Sequence, residues 1–458
     1  MSSLSSEQTA PPSPETTDWI GIAERDHVIT SWSKQSGPPP RVVTAAQGCW
    51  FTTADGTRYL DFMSQLVNTN LGHQHPRLVE AIKRQADTLC YIGPGFANEA
   101  RSRLALDLAE LAPGNLTASF FTTGGAAANE NALKLARLYT GRQKVVARYR
   151  SYHGASAGAI SVTGEPRRWP AEPAVPGVVR MFDPDPYRCA CNDAATRCAV
   201  CQGGPHLEEV LRYEGPESVA AVILETVTGT NGPIVPPDGY LRSIREVCDR
   251  YGILLICDEV MVGFGRLGEW FAVDKWDVVP DILTCAKGLN SGYVPLGAMI
   301  VSEPLRDWLR DHTFSGGLTY AGHPLACASA VESIQIIKDE HVLENARARG
   351  EQLTRGLDRL RSEHPSVGYV HGTGLMQGLE LVRDRRTKEP LAPFHATPDQ
   401  AEPVTAVIDA ARSRGVWLNR HDSVVRLAPP LIVSADEVDL ALSVLDEALV
   451  ESDRAYEG

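Results

Sequence analysis

The sequence predicts an α/β protein: a large domain with a mostly parallel central sheet flanked by helices, plus a smaller α+β domain. Three observations carry this. Apolar runs of four to six residues recur, as in strands buried on both faces of a parallel sheet. A helical stretch separates two of them, giving a strand–helix–strand order. The last third of the chain changes texture to long amphipathic helix and glycine-bent strands.

In chain order, the opening "MSSLSSEQTAPPSPETTDW" is polar and rich in Ser, Thr and Pro. It reads as a flexible tail over 1–18 that enters the fold near Trp19, and it lacks the basic start and apolar centre of a secretory signal. In "ASFFTTGGAAANENALKLARLYTG", Phe120 and Phe121 suggest a short strand that Gly124 and Gly125 break. A helix follows from about Ala127 to Tyr139, with Gly141 as its stop. A glycine turn at a helix start presents free N–H groups beside the positive end of the helix dipole, which suits a phosphate, although a plain tight turn fits as well. Tyr152 and His153 precede Gly154 in a loop. The ring of Tyr152 could lie flat on a planar ligand or be an ordinary half-buried tyrosine.

"SVAAVILETVTG" is apolar from Val219 to Leu224 and then reaches Glu225. After a helix over 240–250 ending at Gly252, Ile253 to Cys257 reach Asp258. "PDILTCAKG" ends on Lys287. An ammonium at the mouth of a buried strand either snorkels to solvent or is neutralised or used. Ligands of parallel sheets bind at the carboxyl ends of strands, so Glu225, Asp258 and Lys287 are expected to face one crevice. Residues 331–363 read as one long amphipathic helix. Strands in "VGYVHGTGLMQGLELV", a loop near Leu391 to Pro398, a helix, "GVWLNRHDSVVRLAPPLIVS" and a final helix from Ala435 to about Glu451 complete the chain.

The 458 residues carry 44 basic and 57 acidic side chains, a net charge of −13 that argues against a nucleic-acid or anionic-membrane surface. No apolar stretch approaches a membrane span. Ten cysteines in a chain this long do not suggest a disulfide scaffold, and a cytoplasmic enzyme is expected. Four of them, Cys189, Cys191, Cys198 and Cys201, crowd into "YRCACNDAATRCAVC". Cys198 and Cys201 have zinc-knuckle spacing with His206 nearby, but four reduced, non-ligating thiols fit too.

A phosphate cradle, a stacking aromatic ring, an aspartate and a lysine together suit pyridoxal phosphate. The motif order resembles the class III aminotransferases, within the fold-type I transferases that use this cofactor. The resemblance runs from "DFMSQLVNTNLGHQHP" to "RLAPPLIVS" and is most specific in "DEVMVGFGRLG", "CAKGLNSGYVPLGA" and "GGLTYAGHPLACA". It implies that Lys287 holds the cofactor aldehyde as a Schiff base and moves protons, and that Asp258 pairs with the pyridine nitrogen. It further implies that Val260 and Tyr152 cover the two ring faces, that Gly125 and Ala126 bind phosphate through backbone N–H groups, and that His153 and Glu225 stand near the ring. Thr319 matches a threonine that completes the phosphate cup of a second subunit, so the resemblance implies a homodimer. The implied domains are an N-terminal part of the small domain over 19–75, a large cofactor-binding domain over 76–330 with a cysteine-rich insertion near 187–206, and a C-terminal small domain over 331–458.

Departures from the family pattern narrow the activity. Ala126 replaces a serine, and Met261 stands where glutamate-using members have glutamine. Thr230 replaces a glutamate that masks a substrate-binding arginine, and Arg426 matches that arginine. Arg426 is thus expected to be open to a substrate acid, the alternative being a pairing with Asp422. Gln65, where amine-selective members often carry tryptophan, suggests a more polar substrate pocket. The expected reaction moves an amino group from an ω-amino, β-amino or related acid-bearing donor to a small 2-oxo acid such as pyruvate. The alternative is non-transaminating chemistry on the same scaffold: an epimerase, a decarboxylase or a replacement or bond-forming enzyme.

Overall fold

The computed structural model describes residues 14–189 and 198–458. Its central sheet has seven strands in the order Leu116–Thr122, Gly297–Ser302, Ile282–Cys285, Leu254–Asp258, Val219–Glu225, Lys144–Arg148 and Val178–Met181. The last five pair in parallel. Gly297–Ser302 runs antiparallel to both its neighbours. Every residue of Val219–Glu225, Leu254–Asp258 and Ile282–Cys285 is buried, which is why these runs are apolar apart from Thr284 and the closing Glu225 and Asp258. The helix Tyr240–Tyr251 ends at Gly252, whose left-handed φ of 59° suits glycine.

Two element readings need correction. The helix expected from Ala127 begins at Gly125 and runs to Thr140. Gly125 can open it because a Cβ there would lie 2.7 Å from a Val260 methyl, so only glycine passes at this spacing. The single helix expected over 331–363 is two helices, Pro324–Asp339 and Val342–Glu363, separated by His341 at φ 52°. No glycine or proline marks that break. It turns the second helix onto the strand Val367–Thr373, so tertiary packing overrides the local pattern.

A second sheet is ordered Val367–Thr373, Met376–Asp384, Val424–Leu427, Asn419–His421, with Glu389–Pro390 paired onto Met376–Asp384. A third joins Val43–Gln47, Trp50–Thr53 and Arg58–Asp61 to Val416–Trp417, so segments far apart in sequence close one sheet. Among the described residues, no helix is long and apolar enough to cross a membrane.

Candidate active site

The carboxyl ends of the buried strands open into a cavity of about 330 Å³ lined by Glu225, Asp258 and Lys287, among others. Glu225 and Asp258 are partners across one parallel ladder, so their side chains leave the same face side by side. Lys287 follows the next strand after one residue. Its φ of 41° is unusual for a side-chain-bearing residue and aims the amine back over the strand ends.

The two carboxylates are held differently. Asp258 Oδ2 accepts from Asn129 Nδ2 at 2.7 Å and meets His153 Nδ1 at 2.8 Å, while Oδ1 accepts from the Val260 N–H at 3.0 Å. Asn129 is fixed in turn: its Oδ1 accepts from Thr284 Oγ1 at 2.7 Å and its Nδ2 also donates to the His153 carbonyl at 2.8 Å. Glu225 accepts the Tyr152 N–H at 3.0 Å and the Gly229 N–H at 2.8 Å. Burial raises the pKa of Glu225, and the neighbouring Asp258 charge adds to the rise. One member of the pair is thus biased toward its neutral form, as expected for like charges sharing a site.

The residues present fit pyridoxal phosphate. The first helical hydrogen bond of Gly125–Thr140 is Ala128 N–H to Gly124 O at 3.1 Å, so the N–H groups of Gly125 and Ala126 precede the helical ladder. Both residues line the cavity, and a Cβ at Gly124 would meet nothing within 4 Å. Gly154, at φ 133°, closes against Ala126: a Cβ there would lie 2.5 Å from the Ala126 methyl. Tyr152 and Val260 line the same cavity. Among the described residues, the buried atoms His153 Nε2 and Asn68 Oδ1 lack a hydrogen-bond partner, as polar groups reserved for a ligand would.

Burial lowers the Lys287 pKa to about 8; Asp258 and Glu225 oppose the shift, and Arg426 and Arg167 add to it. The side chain is only partly covered, but what it faces is the cleft, so desolvation still acts. The charged amine therefore disfavours the cofactor-free fold below about pH 8. That penalty fades as pH rises from there toward the ordinary lysine value of 10.5. Competitive acetylation of cofactor-free protein from about pH 6 to about pH 11, read by peptide mass spectrometry, should give Lys287 a midpoint about two units below exposed lysines. A midpoint coinciding with theirs would remove the desolvation argument.

Arg426 projects from the strand Val424–Leu427, with Nη1 3.5 Å from the Thr230 carbonyl. Burial, then the charge of Arg167, bring its pKa down to about 10 against the pull of Glu165. The alternative partner, Asp422, instead accepts the His395 N–H at 3.3 Å. Glu165 is buried and pairs with Arg167, whose guanidinium lies 4.0 Å from the Tyr152 ring centroid. So an acid does stand near Arg426, although position 230 supplies none.

Not every expected residue converges within one chain. Thr319 is exposed and does not line the cavity; its carbonyl accepts from Tyr91 Oη at 2.9 Å. Gln65, at φ 57°, turns its amide onto Asp61 at 2.9 Å and is likewise absent from the cavity wall. Cys191 lies outside the described residues. Sequence reasoning missed Asn129, Glu165 and Arg167. Asn129 had a visible signal, its place one turn into the helix that follows the glycine pair; the other two had none.

The family described as aminotransferase class-III matches residues 31–449. An uncharacterized aminotransferase of Bacillus subtilis is 36% identical, the match covering 93% of this chain and 96% of that protein. The taurine–pyruvate aminotransferase of Bilophila wadsworthia is 34% identical over 91% of this chain and 94% of its own length. The crystal structure of taurine:2-oxoglutarate aminotransferase from Bifidobacterium kashiwanohense, in complex with pyridoxal phosphate and glutamate, superposes with a TM-score of 0.91. It is 39% identical and covers 97% of this chain and 99% of that one.

Proposed function

The chain belongs to the class III aminotransferases, and from that membership we propose that its amino donor carries an acidic group distal to the amine. It is a pyridoxal-phosphate-dependent aminotransferase. The proposed donors are ω-amino acids, β-amino acids or aminosulfonates, and the acceptor is a small 2-oxo acid such as pyruvate.

The observation that carries this reading is a gathering of guanidinium groups whose field reaches Lys287, although none of them lines the cavity. Arg426 and Arg167 both bear on Lys287, and burial together with Arg426, Arg150, Arg167 and Arg420 drives the His421 pKa down to about 3. An anion entering such a field is favoured, and a guanidinium grips a carboxylate or sulfonate with paired hydrogen bonds. The names of two relatives, both specifying taurine as donor, support an acid-bearing amine.

When bound, the cofactor supplies the aldehyde that takes up the amino group and the ring that accepts electrons from the donor carbon. In our reading Lys287 Nζ holds it and then carries the proton at the donor carbon, a task that its lowered pKa suits. Asp258 would supply the negative charge at the ring nitrogen, and His153 and Asn129 fix that carboxylate. Gly125 and Ala126 N–H groups would bind the phosphate, Tyr152 and Val260 would hold the ring, and Glu225 orders the loop that carries Tyr152. Gln65 would reach a substrate only after leaving Asp61. We further propose a homodimer in which Thr319 of a second copy closes the phosphate cup, a cytoplasmic location, and the domain division at 19–75, 76–330 and 331–458. The pairing of Val416–Trp417 with Leu60–Asp61 supports joining the two outer segments into one domain.

Arg426→Ala is the test. In the donor half-reaction alone, where no acceptor carboxylate intervenes, KM for acid-bearing donors should rise at least about tenfold, ~1.4 kcal/mol. Amines without an acid should be nearly untouched. Arg426→Lys should recover part of the loss, because a point charge does not reproduce the fork. Equal damage to acidic and neutral donors would assign Arg426 to the fold.

A further inference from the structure

The cysteine-rich insertion lies outside the reaction described above, and three of its thiols, those of Cys189, Cys198 and Cys201, converge. Beyond the edge strand Val178–Met181 the outgoing limb crosses to the second sheet. There the Tyr187 ring stacks on Tyr369 with centroids 4.7 Å apart, and Arg188 pairs with Glu380. Arg188 Nη1 also donates to the Lys388 carbonyl at 2.6 Å, and Lys388 Nζ to the Tyr187 carbonyl at 2.9 Å. Cys189 follows immediately. The returning limb belongs to the central-sheet side. Cys198 and Cys201 flank and enter the short helix Ala199–Gln202. Gly203, at φ 79°, packs where a Cβ would lie 2.7 Å from the Tyr240 ring, and the Gly204 N–H donates to Ser243 Oγ at 3.0 Å.

The Sγ atoms of Cys189, Cys198 and Cys201 all lie within 4.8 Å of one another, with Cys189 and Cys198 3.2 Å apart. Cys198 and Cys201 are buried and Cys189 is half-buried. A tetrahedral zinc ion with Zn–S bonds of about 2.3 Å sets its sulfurs roughly 3.8 Å apart, within the range of this cluster. A disulfide would need about 2.05 Å and would leave one thiol of three unused. The two-residue spacer between Cys198 and Cys201 is the usual knuckle for this ion.

We propose that Cys189, Cys198 and Cys201 bind one Zn²⁺, with water or another donor at the fourth corner, as a structural site that staples the two limbs of the insertion. Binding exchanges three thiol protons for one Zn²⁺ and changes no oxidation state. The ion ties the anchorage of Tyr187 and Arg188 on the second sheet to the helix beside Tyr240. Of the described cysteines, these three are the group brought together; Cys90 is exposed and stands apart.

The test uses the full-chain holoenzyme purified without chelator. Elemental analysis should find about one zinc per chain, lost in Cys189→Ser, Cys198→Ser and Cys201→Ser and kept in Cys90→Ser. Should the buried-cysteine variants not fold, wild type answers alone. Stripping the metal with a mercurial and a chelator, followed by thiol regeneration, should lower Tm, and added ZnCl2 should restore both content and Tm. Wild-type protein that neither contains zinc nor takes it up after stripping overturns the proposal. So does zinc retained in all three serine variants, or a disulfide between Cys189 and Cys198 found by non-reducing peptide mapping.

Discussion

Lys287→Ala should abolish transamination, lowering the rate of 2-oxo acid formation by roughly 10³ or more, the scale of a positioned proton-transfer group together with a covalent anchor. The fold should survive. Alanine is compatible with a site that burial already makes unfavourable for a charge, and as a residue with a Cβ it is disfavoured at the φ of 41° much as lysine is. Far-ultraviolet circular dichroism and the melting transition separate loss of chemistry from loss of structure. Small exogenous primary amines should restore part of the rate, because the cavity of about 330 Å³ gains the room of the deleted side chain. A variant that keeps near wild-type turnover would dismiss Lys287 from the reaction whatever its placement.

Asp258→Asn should slow turnover by several orders of magnitude through the loss of the negative charge at the ring nitrogen. The geometry makes this substitution harsher than an isosteric change suggests. Asp258 accepts at both oxygens, Oδ1 from the Val260 N–H and Oδ2 from Asn129 Nδ2 with His153 Nδ1 alongside. An asparagine offers one acceptor atom, so its NH2 must face at least one donor. That leaves a buried polar group unsatisfied, at about 1–3 kcal/mol. A lower melting temperature should accompany the slower reaction. Glu225 does not substitute, since backbone N–H groups occupy both its oxygens and its burial favours the neutral form. A loss below about tenfold, ~1.4 kcal/mol of barrier, would show that Asp258 holds the site together without serving the cofactor.

The two variants distinguish different failures. On the proposed roles, Lys287→Ala removes the group that would hold the cofactor and move a proton, so an added amine can stand in for it. Asp258→Asn removes the charge that would face the cofactor's ring nitrogen, for which no small amine compensates.

The central sheet and the residues at its strand ends are legible in the amino-acid order alone. Strands buried on both faces are apolar nearly throughout, so Val219–Glu225 and Leu254–Asp258 read as runs stopped by a carboxylate, and Ile282–Cys285 as a run broken only by Thr284, whose buried hydroxyl is satisfied by Asn129. The carboxyl ends of such strands face the crevice, and Glu225, Asp258 and Lys287 line one cavity there. Gly125 and Gly252 were legible because a close approach at the one and a left-handed φ at the other restrict the residue type. Tertiary structure decided what depends on partners distant in sequence. His341 bends two helices apart because the second must reach its sheet, and no residue there announces it. Gln65 turns to Asp61, four residues back, and so leaves the cavity wall that its position suggested. Arg167 and Glu165 sit at a short turn more than a hundred residues before Lys287, in a stretch with neither periodicity nor motif. Electrostatic fields add through space, while patterns are read along the chain. The guanidinium cluster around Arg426 therefore exists only once the loop carrying Arg167 has been folded over the strand ends.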